Sequence, residues 1–173
     1  MSEAMIPLSV AVLTVSDSRT EETDRSGQAL VERLEGAGHR LHDKRIVVDD
    51  VYRIRAQVAA WIAEAEVQVI LTTGGTGFTG RDSTPEAVSV LLDKRIEGFG
   101  ELFRHLSWQE IGSSTVQSRC LGGLANNTVV FCLPGSTGAC LTAWDGILAE
   151  QLDSRHQPCN FANLVIPERG QHA

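Results

Sequence analysis

Apolar residues along this chain fall into two alternating patterns, short unbroken runs and longer stretches at helical spacing. Ser9-Val10-Ala11-Val12-Leu13-Thr14-Val15-Ser16 is a run of the kind that forms a strand buried on both faces. Ala29, Leu30, Leu34 and Ala37 then recur at helical spacing and stop at Gly38. A second strand is predicted from Arg40 to Val48. The helix from Val51 to Glu64 places Val51, Ile54, Val58, Ala59 and Ile62 on one face, and a third strand runs from Val67 to Thr73. A helix from about Ser83 to Leu92 follows, then helical pieces between Phe99 and Leu121 broken near Gly112. Asn126-Asn127 turns into the strand Thr128-Val129-Val130-Phe131-Cys132-Leu133, and a last helix reaches about Leu152.

Strands alternating with helices imply βαβ units: an α/β fold of three layers, with a mostly parallel sheet and helices on both faces. Ligands of such sheets bind outside the carboxyl ends of the strands. Those ends carry Ser16-Asp17-Ser18-Arg19, Asp49-Asp50, Thr72 to Asp82, and Pro134-Gly135-Ser136. Four polar or glycine-rich strand ends converge on one rim.

The densest chemistry follows strand three, in Thr73-Gly74-Gly75-Thr76-Gly77-Phe78-Thr79-Gly80-Arg81-Asp82-Ser83-Thr84-Pro85-Glu86. Four glycines in seven positions let backbone N–H groups converge on phosphate oxygens, with the Thr73 and Thr76 hydroxyls as further donors. Ser83, Thr84 and Pro85 mark a helix start, whose positive dipole end favours anions. Ser83 and Glu86 also have the spacing of a capping box. Asp82 beside a phosphate cradle repels its ligand unless a cation lies between, and Mg2+ held by Asp82 and phosphate oxygens resolves that conflict. Gly75 to Gly80 fits G-x-G-x-x-G, but dinucleotide binders open their helix within the glycines and after the first strand, so a nicotinamide-dependent oxidoreductase is a distant alternative. No Gly-Lys-Ser or Gly-Lys-Thr follows, which excludes a Walker A loop. A purely structural glycine turn remains the bland alternative.

At 173 residues the chain suits one domain, with an ordered core at about 6–166 and a short polar tail from about Pro167. A hydrophobic fraction of 42% argues against disorder, and no apolar run approaches a membrane span. Met1 to Met5 lacks the features of a secretory signal, so a cytoplasmic protein without membrane partners is expected. The net charge of -7, with no dense Lys/Arg stripe, argues against nonspecific nucleic-acid binding. Cys120, Cys132, Cys140 and Cys159 lack zinc-ligand spacing and are read as reduced, mostly buried thiols. The five histidines form neither a zinc-hydrolase motif nor part of a Ser-His-Asp triad.

Several ordered blocks then resemble one family. They are Leu13-Thr14-Val15-Ser16-Asp17, Asp24-Arg25-Ser26-Gly27, Leu71 to Gly77, Arg81-Asp82, Thr84-Pro85-Glu86-Ala87, Gly98-Phe99-Gly100-Glu101, Ser118-Arg119 and Leu133-Pro134-Gly135-Ser136. Together, from about Ser9 to Phe161, they resemble the MoaB/MogA family of molybdenum cofactor biosynthesis proteins, and the stretch from Glu97 to Phe161 is most similar to its MoaB branch. The resemblance implies a MogA-like, molybdopterin-binding fold. In the catalytically competent branch it implies Mg-ATP-dependent adenylylation of molybdopterin, giving adenylyl-molybdopterin and pyrophosphate. The alternative is a noncatalytic molybdopterin-binding or assembly protein of the same pathway.

On that resemblance Asp82 matches the metal-site carboxylate, and Asp49, with Asp50 beside it as an alternative, matches a second functional acid. Gly74, Gly75, Thr76 and Gly77 would hold nucleotide phosphates, with Thr73, Ser16 and Asp17 on the same rim. Ser26, Gly27, Ser118, Arg119, Pro134, Gly135 and Ser136 are candidates for holding the pterin and its phosphate; Arg119 equally suits an ion pair. Ser136-Thr137-Gly138-Ala139-Cys140 departs from the proline- and lysine-rich continuation that resembles the adenylylating branch. The resemblance also implies homo-oligomers, trimers or hexamers built from them, and other cofactor-biosynthesis proteins as partners. Trp61, Trp108, Trp144, Phe99 and Phe103 are open to either core or interface roles.

Overall fold

The computed structural model describes residues 4–167. Its strands are β1 (Ser9–Val15), β2 (Arg40–Val47), β3 (Val69–Thr73), β4 (Lys94–Arg95), β5 (Leu121–Ala125) and β6 (Thr128–Leu133). The helices are α1 (Arg25–Gly36), α2 (Val51–Ala63), α3 (Thr84–Ser89), α4 (Glu97–Ile111), α5 (Thr137–Ala143), α6 (Ala149–Gln151) and α7 (Ala162–Val165). A 3-10 segment, Gly112–Gln117, follows α4, and a π-turn, Trp144–Leu148, joins α5 to α6.

All strands belong to one sheet of order β2-β1-β3-β6-β5-β4. Pairings β2 to β1, β1 to β3 and β3 to β6 are parallel, whereas β6 to β5 and β5 to β4 are antiparallel. The sheet is therefore mixed, a parallel body with an antiparallel extension.

Central strands sandwiched by helices send alternate residues to opposite cores. Val10, Val12, Val69, Leu71, Val129, Phe131 and Leu133 face Leu30 and Leu34 of α1, Phe99 and Phe103 of α4, and Trp144. Ala11, Leu13, Val15, Ile70 and Val130 face Ile54, Val58 and Trp61 of α2 and Ala87 and Val88 of α3. Each such Leu, Ile or Val side chain contributes roughly 1.5–3 kcal/mol by leaving water. These two layers clamp β1, β3 and β6 and fix their carboxyl ends.

Three predicted details change. The helix expected to reach Leu92 ends at Ser89, because the Asp93 and Ile96 amides bond to the Leu124 and Gly122 carbonyls and draw the chain onto the sheet edge as β4. The segment Leu121–Ala125 is a strand that hydrophobic patterning did not mark. The inner face of α2 is completed by Trp61, 1% exposed, with its indole N–H 3.3 Å from Asp43 Oδ2, while Ala59 is only half-buried. Phe99, Phe103 and Trp144 are likewise core, which leaves Trp108, 58% exposed, as the surface member of the five aromatic residues. Cys120, Cys132 and Cys140 are buried thiols, with burial pushing Cys132 up to about 12 and Cys140 up to about 11; Cys159 is exposed. Among the described residues no helix is long and apolar enough to cross a membrane. Beyond Pro167 the expected polar tail lies outside the described residues.

Candidate functional site

Sheet order changes direction at β1, which has β2 on one side and β3 on the other. The helix after β1 packs on one face of the sheet and the helix after β3 on the opposite face. Loops leaving such neighbouring strands diverge and open a crevice at their carboxyl ends.

The glycine loop forms its floor. Gly74 has φ +99°, and a Cβ there would sit 2.2 Å from the Val15 carbonyl oxygen. Gly75 has φ +69°, with its Cβ position 2.3 Å from Thr84 Oγ1 and 2.9 Å from Asp49 Oδ2. Both residues thus need the left-handed region and close backbone approach at once. Thr84 closes the floor from α3, its hydroxyl donating to Gly74 O (2.8 Å) and its amide to Gly75 O (3.0 Å). Thr73 is fully buried and gives its hydroxyl to Pro134 O (2.9 Å), so the donor expected to reach a phosphate is spent between β3 and β6. Thr76 is also buried.

Asp49 and Asp82 both reach this floor, from different elements. Asp49 is 8% exposed, and its Oδ1 accepts from the Ser83 amide (3.0 Å) and hydroxyl (2.5 Å). Asp50 instead caps α2 by accepting from the Tyr52 and Arg53 amides, which assigns the rim position to Asp49. Asp82 folds back on its own turn: Oδ2 accepts from Thr79 N–H (2.8 Å) and Oγ1–H (2.6 Å). The Thr79 hydroxyl holds the Asp82 carboxyl below the usual carboxylate range, against a smaller opposing effect of burial. A Cβ on Gly77 would lie 2.7 Å from Asp82 Oδ2, so the second acid abuts the loop as the first does.

Ser83 and Glu86 do not form the expected capping box. Ser83 makes no cap bond with its side chain and turns to Asp49, while Glu86 pairs with Arg119. Arg119 also donates Nε–H to Gly77 O (2.8 Å) and an Nη2–H to Asp82 O (2.8 Å), with Phe78 stacked under its guanidinium at 5.1 Å. Its fork holds the loop's outer arm in place. The Ser118 hydroxyl is buried beside the Cys120 thiol and points inward.

The remaining candidates line the neighbouring strand ends. Ser16 Oγ accepts from the Ser18 and Arg19 amides, shaping the turn after β1. Asp17 accepts from the Asp49 amide (2.9 Å) and forms a two-pronged ion pair with Arg81, whose hydrogen bonds are the main cause of its lowered carboxyl pKa. Gly135 lies against Gly74, its carbonyl accepting from Arg19 (3.3 Å), and Ser136 caps α5 through the Ala139 amide. Ser26 and Gly27 are buried at the start of α1, where the Gly27 amide bonds to Asp24 Oδ1 (3.0 Å). Arg19, Thr79 and Arg81 complete the rim, with the buried Asp24–Lys44 pair beneath it, and none of these was named as a site residue. The signal for Arg81 was its position between Gly80 and Asp82; Lys44 gives none, since its partners, Glu21 (2.7 Å) and Asp24 (2.9 Å), lie outside β2.

Two carboxylates against one glycine loop suit Mg2+, which binds few protein ligands and takes the rest of its shell from substrate and water. Among the described residues no three His, Cys, Asp or Glu side chains converge as a metal cage.

Known proteins resemble this chain in sequence and in fold. The family model described as "Probable molybdopterin binding domain" matches residues 11–154. Molybdenum cofactor biosynthesis protein B of Escherichia coli (strain K12) is 55% identical over 161 residues, covering 93% of this chain and 95% of that protein. A crystal structure of a molybdenum cofactor biosynthesis protein B superposes with TM-score 0.84 at 49% identity, over 87% of this chain and 94% of that one. A MogA structure superposes with TM-score 0.76 at 30% identity, over 83% and 94%.

Proposed function

The chain belongs to the molybdopterin-binding family of molybdenum cofactor biosynthesis proteins, and from that premise we propose that its crevice adenylylates molybdopterin with Mg-ATP. The observation that carries this reading is the placement of Asp49 and Asp82 against one glycine loop, at Gly75 and Gly77, where neither glycine leaves room for a Cβ. In this reaction a terminal phosphate oxygen of molybdopterin attacks the α-phosphorus of ATP. The bond from that phosphorus to the β-bridging oxygen breaks, and pyrophosphate leaves with its electron pair. Phosphoryl-type transfer asks the protein for alignment and charge neutralisation more than for covalent chemistry. Mg2+ entering with the nucleotide would supply the neutralisation.

The chain's own residues supply the alignment. Arg119 and Thr84 pin the two arms of the glycine loop, and Thr79 keeps Asp82 ionised. Asp49 offers Oδ2 toward Gly75 while Oδ1 is occupied by Ser83. Gly135 and Arg19 form the adjoining wall, where the pterin is expected.

A noncatalytic molybdopterin binder is the second reading, and a particular feature favours it. Ser136 and the first turn of α5, Thr137 to Cys140, adjoin the floor without any cationic side chain to meet a triphosphate. Anaerobic incubation with molybdopterin, ATP and Mg2+ separates the two. Adenylyl-molybdopterin and pyrophosphate should form and fall at least about 100-fold in Asp82→Asn; tight molybdopterin binding with no product above that variant would leave the binder. A homotrimer or hexamer belongs to the same reading, with exposed Trp108, Ile111 and Val116 as its apolar surface, and light scattering on the purified protein tests it.

A further inference from the structure

Three guanidinium groups serve the crevice, and they differ in what holds them. Arg119 donates to the carbonyls of Gly77 and Asp82, and Arg19 to that of Gly135. Their partners are the loops themselves, so moving either cation would strip hydrogen bonds from backbone that defines the site. Arg81 differs. Its two bonds, Nε–H to Asp17 Oδ2 (2.9 Å) and Nη2–H to Asp17 Oδ1 (2.6 Å), both end on one carboxylate across the crevice.

A carboxylate and a phosphate present the same pair of acceptor oxygens to a guanidinium fork. The Arg81 and Asp17 side chains are 61% and 45% exposed, so their pair is screened by water and weakly held. Backbone on both sides is fixed independently of it. The turn carrying Arg81 is closed by Asp82 N–H to Thr79 O (3.1 Å) and by the Asp82 carboxylate, and Asp17 keeps its bond from the Asp49 amide. Releasing Arg81 therefore asks for a side-chain rotation and no loop movement. The floor otherwise presents Asp49 and Asp82 to an anion, so a cation that can turn toward phosphate meets a need that fixed groups leave open.

We propose that Arg81 is an exchangeable phosphate-binding residue, whose guanidinium leaves Asp17 for the phosphate oxygens of an incoming polyphosphate. This rests on reading the crevice as a nucleotide-phosphate site. Asp17 is then a competitor for the cation as much as a part of the rim.

Calorimetric titration of Mg-ATP and of inorganic tripolyphosphate into wild type, Arg81→Ala, Asp17→Asn and the double variant tests it, with molybdopterin binding measured in parallel. Arg81→Ala should weaken both polyphosphates about tenfold or more, the loss expected for a charge-assisted pair. Asp17→Asn should tighten them in wild type and lose that effect in the Arg81→Ala background, because the coupling runs through the guanidinium. Unchanged affinity in Arg81→Ala, or equal tightening by Asp17→Asn in both backgrounds, would overturn the proposal while leaving the nucleotide reading intact. Wild type that binds molybdopterin but neither polyphosphate would sink both.

Discussion

Two ion pairs flank the crevice, Lys44 with Asp24 below it and Arg81 with Asp17 at its lip. Their distances are alike, 2.9 and 2.6 Å, but the lower side chains are 12% and 0% exposed and the upper ones 61% and 45%. Burial alone would raise the Asp24 carboxyl; Lys44, the Thr14 hydroxyl (2.7 Å) and the Gly27 amide more than offset it and hold it below the usual range. One carboxylate thereby ties β1, β2 and the start of α1 together. The upper pair ties two loops through a contact that water screens. Burial, not distance, decides whether an ion pair acts as framework or as an exchangeable contact.

The same division runs through the glycine loop and yields the largest expected effect. Gly74→Ala should cost about 4 kcal/mol, since a Cβ would meet the Val15 carbonyl in a left-handed backbone. Gly80→Ala, on the same loop with nothing within 4 Å of its Cβ position, should stay within about 0.5 kcal/mol. Urea denaturation of both variants checks this, and equal costs would erase the distinction between floor and lip. Lys44→Met should cost about 3 kcal/mol by leaving a buried carboxylate without its cation, and adding Asp24→Asn should recover part of that loss.

What the sequence made legible follows from how local each signal is. Strands β1 and β3 were readable because burial on both faces writes an unbroken apolar run, and Asp82 because a carboxylate beside a phosphate loop is a contradiction in need of a cation. Strand β5 was not: Leu121-Gly122-Gly123-Leu124-Ala125 carries no apolar pattern that marks a strand, and Gly122 is there because a Cβ would lie 2.9 Å from the Phe131 ring. A strand selected for missing side chains leaves no hydrophobic pattern. Ser83 and Glu86 misled for a related reason, since their capping-box spacing is local while their partners, Asp49 and Arg119, lie 34 and 33 residues away. The choice between Asp49 and Asp50 needed the α2 cap, which spacing alone does not assign.

A smaller effect is expected on acidification. His39 is 5% exposed and accepts the Leu8 N–H at Nδ1 (3.2 Å), and burial lowers its pKa below the ordinary 6.5, with Asp153 opposing. The unfolded chain then binds a proton that the folded chain refuses, so stability is whole above 6.5 and declines as pH falls below it. For Asp24 the folded pKa lies below 3.8, so its contribution is whole above that value and is lost as pH falls through the folded pKa. Urea midpoints measured across pH should show two acid limbs, with His39→Asn flattening the upper one. Persistence of the upper limb in that variant would assign it elsewhere.

The smallest effect is the one that most sharply separates the two pairs. Arg81→Ala and Asp17→Asn should leave the urea midpoint unchanged within error at neutral pH, because both side chains are largely in water, Arg81 bonds to the Asp17 carboxylate alone, and an asparagine oxygen at position 17 would still accept the Asp49 amide. Raising the salt concentration should make little further difference to stability, since screening acts on an interaction that already contributes little to it. Affinity for tripolyphosphate should nonetheless respond to both substitutions, in opposite directions. That combination, a silent denaturation curve with a responsive binding isotherm, is the signature of a contact kept for exchange. A midpoint that falls for Asp17→Asn as far as it does for Lys44→Met would instead make the upper pair framework like the lower, and would remove the physical reason for Arg81 to let go.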